Sequence, residues 1–274
     1  MREKQASTMA GEAPTQRDEG RARRISAALY YLYCETLRAL RVPLSLIFGI
    51  AFPTLAFLLF GGAFPRTAIV TLASYTALIA YSTPFQAASI SLTIERSLGW
   101  NKLLRTTSLS TPLYLAAKFL VAMGMTILSM LVLWIVAVLV THVNLEAATW
   151  GQLFILMIVG GIPFVLAGIF LGYAGTVSAA QAISGLAFFV LSFTSGMFVP
   201  LINLPRFVQV IAPYLPTYHL AQLAWRTVNA VIDKQTVWDS QPMWVHFLWL
   251  AGYGVIFLVG AVWAYNRDEA RSFA

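Results

Sequence analysis

The sequence predicts an all-α membrane protein of six transmembrane helices, with both termini on the cytoplasmic side. Composition, the spacing of charge and the sidedness of that charge each point to it. Of 274 residues, 59% are hydrophobic and only 11% are charged, and the mean hydropathy is +0.73, far from the mixture of a soluble domain. Charge-free intervals run from Val42 to Pro65, Thr67 to Ile94, Phe119 to Leu145, Ala147 to Pro205 and Ser240 to Asn266. Each holds the roughly 20 apolar residues that cross about 30 Å of hydrocarbon as a helix. The runs are continuously apolar rather than alternating, which favours helices over a barrel, and a helix satisfies its own backbone in lipid.

Residues 1–20 are polar and mixed in charge, with no apolar core for a signal peptide, and are expected to form a disordered cytoplasmic tail. Over 21–42, Ile25, Leu29, Leu32 and Leu40 recur at roughly helical spacing beside Tyr30, Tyr31 and Tyr33, with Arg24, Arg38 and Arg41 flanking them. This fits an interfacial amphipathic helix, and equally an extension of the first span. The transmembrane domain is placed at 43–265, with spans at about 43–63, 68–94, 113–140, 151–172, 179–199 and 243–265. The fourth charge-free interval is long enough for two spans. It is divided at "LGYAGTVSAAQA", Leu171 to Ala182, where glycines, Thr176, Ser178 and Gln181 signal a turn. Residues 266–274 form a cytoplasmic tail.

Of the 18 Lys and Arg, only Arg66, Arg206, Arg226 and Lys234 fall on the side opposite the N-terminus in this arrangement. The positive-inside rule therefore selects N-in and C-in. The net charge of +7 follows from that sidedness rather than from nucleic-acid binding, because the basic residues are spread along the cytoplasmic edges.

Several chemistries are disfavoured. Cys34 is alone, and His142, His219 and His246 are far apart in sequence without Cys, Asp or Glu at ligand spacing, so no metal site is expected. No catalytic set is apparent, and no predicted span carries an acid in its interior for a proton relay. The chain has no Gly-Lys dipeptide, hence no phosphate-binding loop of the Walker type, and its longest polar segment is too short for a nucleotide-binding domain. Any ATPase is therefore expected to be a separate chain.

The stretch "TIERSLGWNKLLRTT" sets Glu95, Arg96, Lys102 and Arg105 between two apolar runs. As a short surface helix it would carry Glu95 near its start and Lys102 and Arg105 near its end, complementing the helix dipole. Trp100, Leu103 and Leu104 would share one face, and Gly99 would permit close backbone approach. Such a face suits docking of a separate ATPase, or anchoring of the loop in lipid headgroups by Trp100.

The same residues carry a family resemblance. "ERSLGWNKLLRTTSLSTPLYLAAKFL", Glu95 to Leu120, resembles the cytoplasmic loop and third-span entry of ABC-2 type transporter permeases, whose pattern runs E-R-x-x-G, then Leu-rich residues, a T-P-L-like turn and a Lys. Glu95, Arg96, Gly99, Leu104, Thr107, Leu109 and Lys118 match. Ser97 replaces a usual third acid, and Ser108 a usual proline. "GMFVPLINLPRFVQVIAPYLPTYHLAQLAWR", Gly196 to Arg226, is similar to the family's F-x-P-x-x-x-L-P segment and its proline-broken, aromatic-rich return.

The resemblance implies a permease in the cell (inner) membrane that forms a homodimer or close heterodimer and pairs with two copies of a separate ABC ATP-binding subunit. ATP and Mg would be bound by that subunit, and this chain would bind no cofactor. Glu95, Arg96, Gly99, Trp100, Leu103 and Leu104 would form a coupling helix between spans 2 and 3. Spans 2 and 5 would border a substrate cavity at Tyr81, Phe85, Phe189, Phe193 and Thr194, with Pro84 kinking span 2. Between spans 5 and 6, Pro200, Pro205, Pro213 and Pro216 break an apolar segment that dips into the outer leaflet. Pro200, Leu204, Pro205 and Phe207 are candidates there for an outer gate or a dimer-stabilising connector. The expected function is export of a hydrophobic or amphiphilic compound such as a drug, antibiotic or lipid-linked molecule. The alternatives are export of a polysaccharide or lipo-oligosaccharide, and a membrane sensor or structural protein.

Overall fold

The computed structural model describes residues 16–41, 47–61, 68–100, 110–228 and 241–271. Among them every regular element is a helix. In chain order these are α1 (Gln16–Arg41), a π turn (Ile47–Ala51) leading into α2 (Phe52–Gly61), α3 (Ala68–Ser97), α4 (Thr111–Thr141) and α5 (Ala147–Ala174). Then come α6 (Val177–Thr194), α7 (Arg206–Ile211), α8 (Pro216–Val228) and α9 (Met243–Arg271). Helices α3, α4, α5, α6 and α9 are long and apolar enough to cross a membrane, which makes this an all-α membrane protein.

Of the first expected span, the described part is the π turn and α2. The π turn and α2 together rise only about 22 Å at 1.5 Å per residue, and residues 42–46 and 62–67 lie outside the described residues. Pro53 supplies a reason for the irregular start: it has no N–H to give to Gly49, and the wider π turn sits just before it. The break between α5 and α6 falls at Gly175 and Thr176, inside the predicted turn. Thr176 caps α6 by accepting from the Ala179 N–H at 3.3 Å.

Helix α3 is the centre of the bundle. It packs most extensively on α5, then on α4, α8, α6 and α2, whereas α9 rests on α5 and α8 with much of its surface free. Close approach of α3 and α5 depends on small residues. A Cβ added at Gly161 would lie 2.8 Å from the Ala80 carbonyl oxygen, one at Gly168 2.6 Å from the Phe85 carbonyl oxygen, and one at Gly172 2.7 Å from Leu92 Cδ2. In lipid such stripes let backbones touch where no hydrophobic drive would hold them. Pro84 lies within α3 without ending it. The carbonyl that loses its helical donor to Pro84 is that of Ala80, the same oxygen that faces Gly161. Gly168→Leu is expected to push α3 from α5, lowering the yield of folded protein and its thermal midpoint. Gly151→Ala, at a position with open space around it, should leave both unchanged.

Buried polar groups tie the other helices to α3. Trp134 Nε1 on α4 donates to Thr76 Oγ1 at 3.0 Å, Trp225 Nε1 on α8 donates to Ser74 Oγ at 2.8 Å, and Ser89 and Ser184 Oγ on α6 lie 2.9 Å apart. Between α6 and α8 the chain forms short turns and α7. Leu201, Ala212 and Tyr218 make a small core there, and Gln209 Nε2 donates to the Leu204 carbonyl at 2.8 Å.

Candidate functional site

The α3 helix does not stop where charge begins. It runs through Glu95 and Arg96 to Ser97, so Glu95 lies in the last turn of span 2 rather than at the start of a separate helix. Gly99, at φ +74, turns the chain. Trp100 is thereby brought half-buried against α1, its ring centroid 6.2 Å from that of Tyr31. Leu103 and Leu104 lie outside the described residues.

Glu95 is 4% exposed, which an unpaired carboxylate could not sustain. Its Oε1 accepts from Lys118 Nζ at 2.6 Å and from Arg38 Nη1 at 2.5 Å, and its Oε2 accepts from Tyr114 O–H at 2.6 Å and Tyr31 O–H at 3.3 Å. Lys118, 3% exposed, donates also to Glu35 Oε1 at 2.5 Å and to Ser91 Oγ at 2.6 Å, while the Ser91 hydroxyl donates to Glu35 at 2.8 Å. Two carboxylates and two cations thus form a neutral cluster joining α1, α3 and α4. The cations also offset the negative end of the α3 dipole, where Glu95 alone would be disfavoured.

Burial by itself would raise the Glu35 carboxyl, but the charge and hydrogen bond of Lys118, the Ser91 hydroxyl and Arg38 outweigh it and hold the pKa below the usual carboxylate value. A carboxyl depressed in the folded state contributes fully above its unfolded value, about 4.3. The contribution is lost only as pH falls through the lower folded value. Burial first, and then the charge of Glu95, raise Tyr31 well above a free phenol, so it stays a donor.

Arg96 faces the other way. Its Nη1 donates to the carbonyls of Gly172 (2.6 Å) and Gly175 (3.2 Å), satisfying the C-terminal end of α5. Its Nη2 pairs with Asp268 in the last turn of α9, and the guanidinium lies 5.6 Å from the Tyr173 ring centroid. The adjacent pair Glu95 and Arg96 therefore links the end of α3 to α1 and α4 on one side and to α5 and α9 on the other.

Glu35, Ser91, Tyr114 and Asp268 were not singled out from sequence. The available signal was Lys118 itself, an ammonium several residues inside an apolar predicted span, which demands a nearby partner. Two of the three histidines, far apart in sequence, meet in the structure. His219 on α8 and His246 on α9 are buried with their Nδ1 atoms 2.9 Å apart, although 27 positions separate them. Among the described residues no group of three His, Cys, Asp or Glu could hold a metal.

Of the predicted cavity residues, Tyr81 is buried and donates to the Phe188 carbonyl at 2.7 Å and contacts Ser192 Oγ, so it ties α3 to α6. Phe85 is half-buried against the core. Phe189 and Phe193 are exposed on α6, where Thr194 Oγ1 donates to the Val190 carbonyl at 2.6 Å. Pro200, Pro205 and Phe207 are exposed in the connector, and Leu204 packs on its small core.

Membrane-length helices joined at one end by a buried, charge-balanced cluster define a polytopic membrane protein. The family model described as ABC-2 family transporter protein matches residues 66–263, and the chain belongs to that family. Putative transport permease YvfS of Bacillus subtilis (strain 168) is 26% identical over 199 residues, covering 73% of this chain and 78% of the relative. The chain is a multi-pass permease subunit of the cell membrane that works with an ABC ATPase subunit. Glu95 and Lys118 lie within the matched region, whereas Glu35, Arg38 and Asp268 lie outside it.

Proposed function

We propose that this permease exports a hydrophobic or amphiphilic compound, driven by two copies of a separate ABC subunit that binds ATP and Mg, and that the Glu95–Leu104 segment transmits the motion of that subunit. Six spans are assigned, with the π turn and α2 as the first, and N-in, C-in orientation. The permease acts as a homodimer or close heterodimer. The observation that carries the coupling role is the two-sided link at Glu95 and Arg96. A force applied to the turn at Gly99 reaches α1, α4 and α9 through ionic contacts and α5 through charge-assisted hydrogen bonds, rather than through flexible chain.

In this reading Phe85, Phe189 and Phe193 supply the apolar substrate path and Tyr81 positions α6 beside it. The connector from Pro200 to Phe207 covers the outer end. Co-purification with an ABC subunit, followed by transport in reconstituted vesicles, tests the assignment. ATP-dependent export of an amphiphile supports it, and a stable chain that neither binds such a subunit nor moves any amphiphile contradicts it. Orientation is tested in a Cys34-free background. Cysteines at Arg66, Glu146 and Asp233 should react with an impermeant thiol reagent in intact cells, and one at Lys102 should not.

A further inference from the structure

A cavity of about 390 Å³ opens between the last turn of α3, the α5–α6 turn and the last turns of α9, lined by Arg96, Tyr173, Thr176, Trp263, Arg267 and Asp268 among others. Its volume falls in the range of about 300–1,000 Å³ typical of small-ligand sites. We propose that it binds a phosphate-bearing anion, namely the headgroup of an anionic phospholipid.

The chemistry of the walls supports a single negative ligand. Two guanidiniums, Arg96 and Arg267, face one lining carboxylate, Asp268, leaving a positive excess. Arg96 Nε is buried with no hydrogen-bond partner among the described residues, although both Nη atoms are engaged. The Arg267 guanidinium lines the cavity and lies 5.2 Å from the Trp263 ring centroid, and a planar guanidinium is suited to meet a phosphate edge-on. Thr176, whose hydroxyl oxygen already caps the Ala179 N–H, stands at the N-terminus of α6 with that hydroxyl still able to donate.

The position supports a lipid rather than a soluble phosphate. The apolar run of α9 ends at Trp263 and Tyr265, and Asn266 and Arg267 begin the polar tail, which sets Trp263 at headgroup level. Toward the membrane interior, Val255, Val259 and Val262 are all more than half exposed on α9, a free apolar surface where acyl chains can lie. The leaflet rests on the orientation proposed above and is the cytoplasmic one, whose anionic lipids attract arginines near the surface. The site itself does not depend on that orientation.

The test uses the purified full-length permease in detergent doped with equal phosphatidylglycerol and phosphatidylcholine, with retained lipid read by native mass spectrometry. Wild-type protein should retain phosphatidylglycerol over phosphatidylcholine by about five-fold or more, the weight of one surface arginine. Arg267→Gln and, separately, Trp263→Leu should bring the ratio toward one without changing the thermal midpoint in phosphatidylcholine alone. No preference in the wild type, or a preference that both variants keep, overturns the proposal. In a parallel arm without lipid, inorganic phosphate is added at millimolar concentration. A rise in thermal midpoint that requires Arg267 would overturn the lipid assignment in favour of a soluble phosphate, and no rise supports the headgroup.

Discussion

Lys118→Met is expected to be the most damaging single change at the charged end of the bundle. It leaves Glu35 and Glu95 buried with only Arg38 between them, and Arg38 is itself 40% exposed at its side chain. Removing one member of a buried ionic set costs about 3–5 kcal/mol, which for a chain of this size lowers the thermal midpoint by roughly 10 °C. Methionine keeps the length and the apolar stem, so the loss reports charge rather than volume. The companion variant separates charge balance from a folding defect. Lys118→Met with Glu35→Gln restores one cation to one carboxylate and should recover part of the loss, a non-additivity measurable as a double-mutant cycle on midpoints in detergent. If the two changes add, the four side chains do not act as one cluster.

The second large effect is expected beyond Gly99. Leu103→Asp with Leu104→Asp places two carboxylates on the face proposed to enter a dry contact with the ATPase, costing several kcal/mol if they stay buried. Loss of the ATPase on co-purification should follow, while membrane insertion, orientation and permease dimerisation persist. Retention of the ATPase at wild-type stoichiometry would show that the face rests on headgroups instead.

Local sequence carried the long helices and failed where partners were distant. Charge-free intervals located α3, α4, α5, α6 and α9 because lipid forbids unpaired charge and exposed backbone alike. Turn chemistry at Gly175 and Thr176 divided α5 from α6. The same criterion ended span 2 too early, since hydropathy marks where a helix leaves the hydrocarbon and not where its hydrogen bonding stops. Gly99 with positive φ, not Glu95, ends α3. Pairing between Glu35 and Lys118, between Arg96 and Asp268, and between His219 and His246 joins residues that no local pattern connects. The irregular start of the first helix was partly legible, since Gly49 and Pro53 stand inside the predicted span and both weaken a continuous helix.

The Glu95–Arg96 joint is proposed to transmit force from the ATPase subunit to the bundle. Glu95→Gln tests it most directly, because the amide keeps the shape and can still accept from Tyr114 while losing the charge that holds Arg38 and Lys118 together. The measurement is the ratio of substrate exported to ATP hydrolysed by the assembled, reconstituted complex. The complex is expected to form and hydrolyse ATP while that ratio falls several-fold; an unchanged ratio in a fully assembled complex would rule out force transmission through the joint.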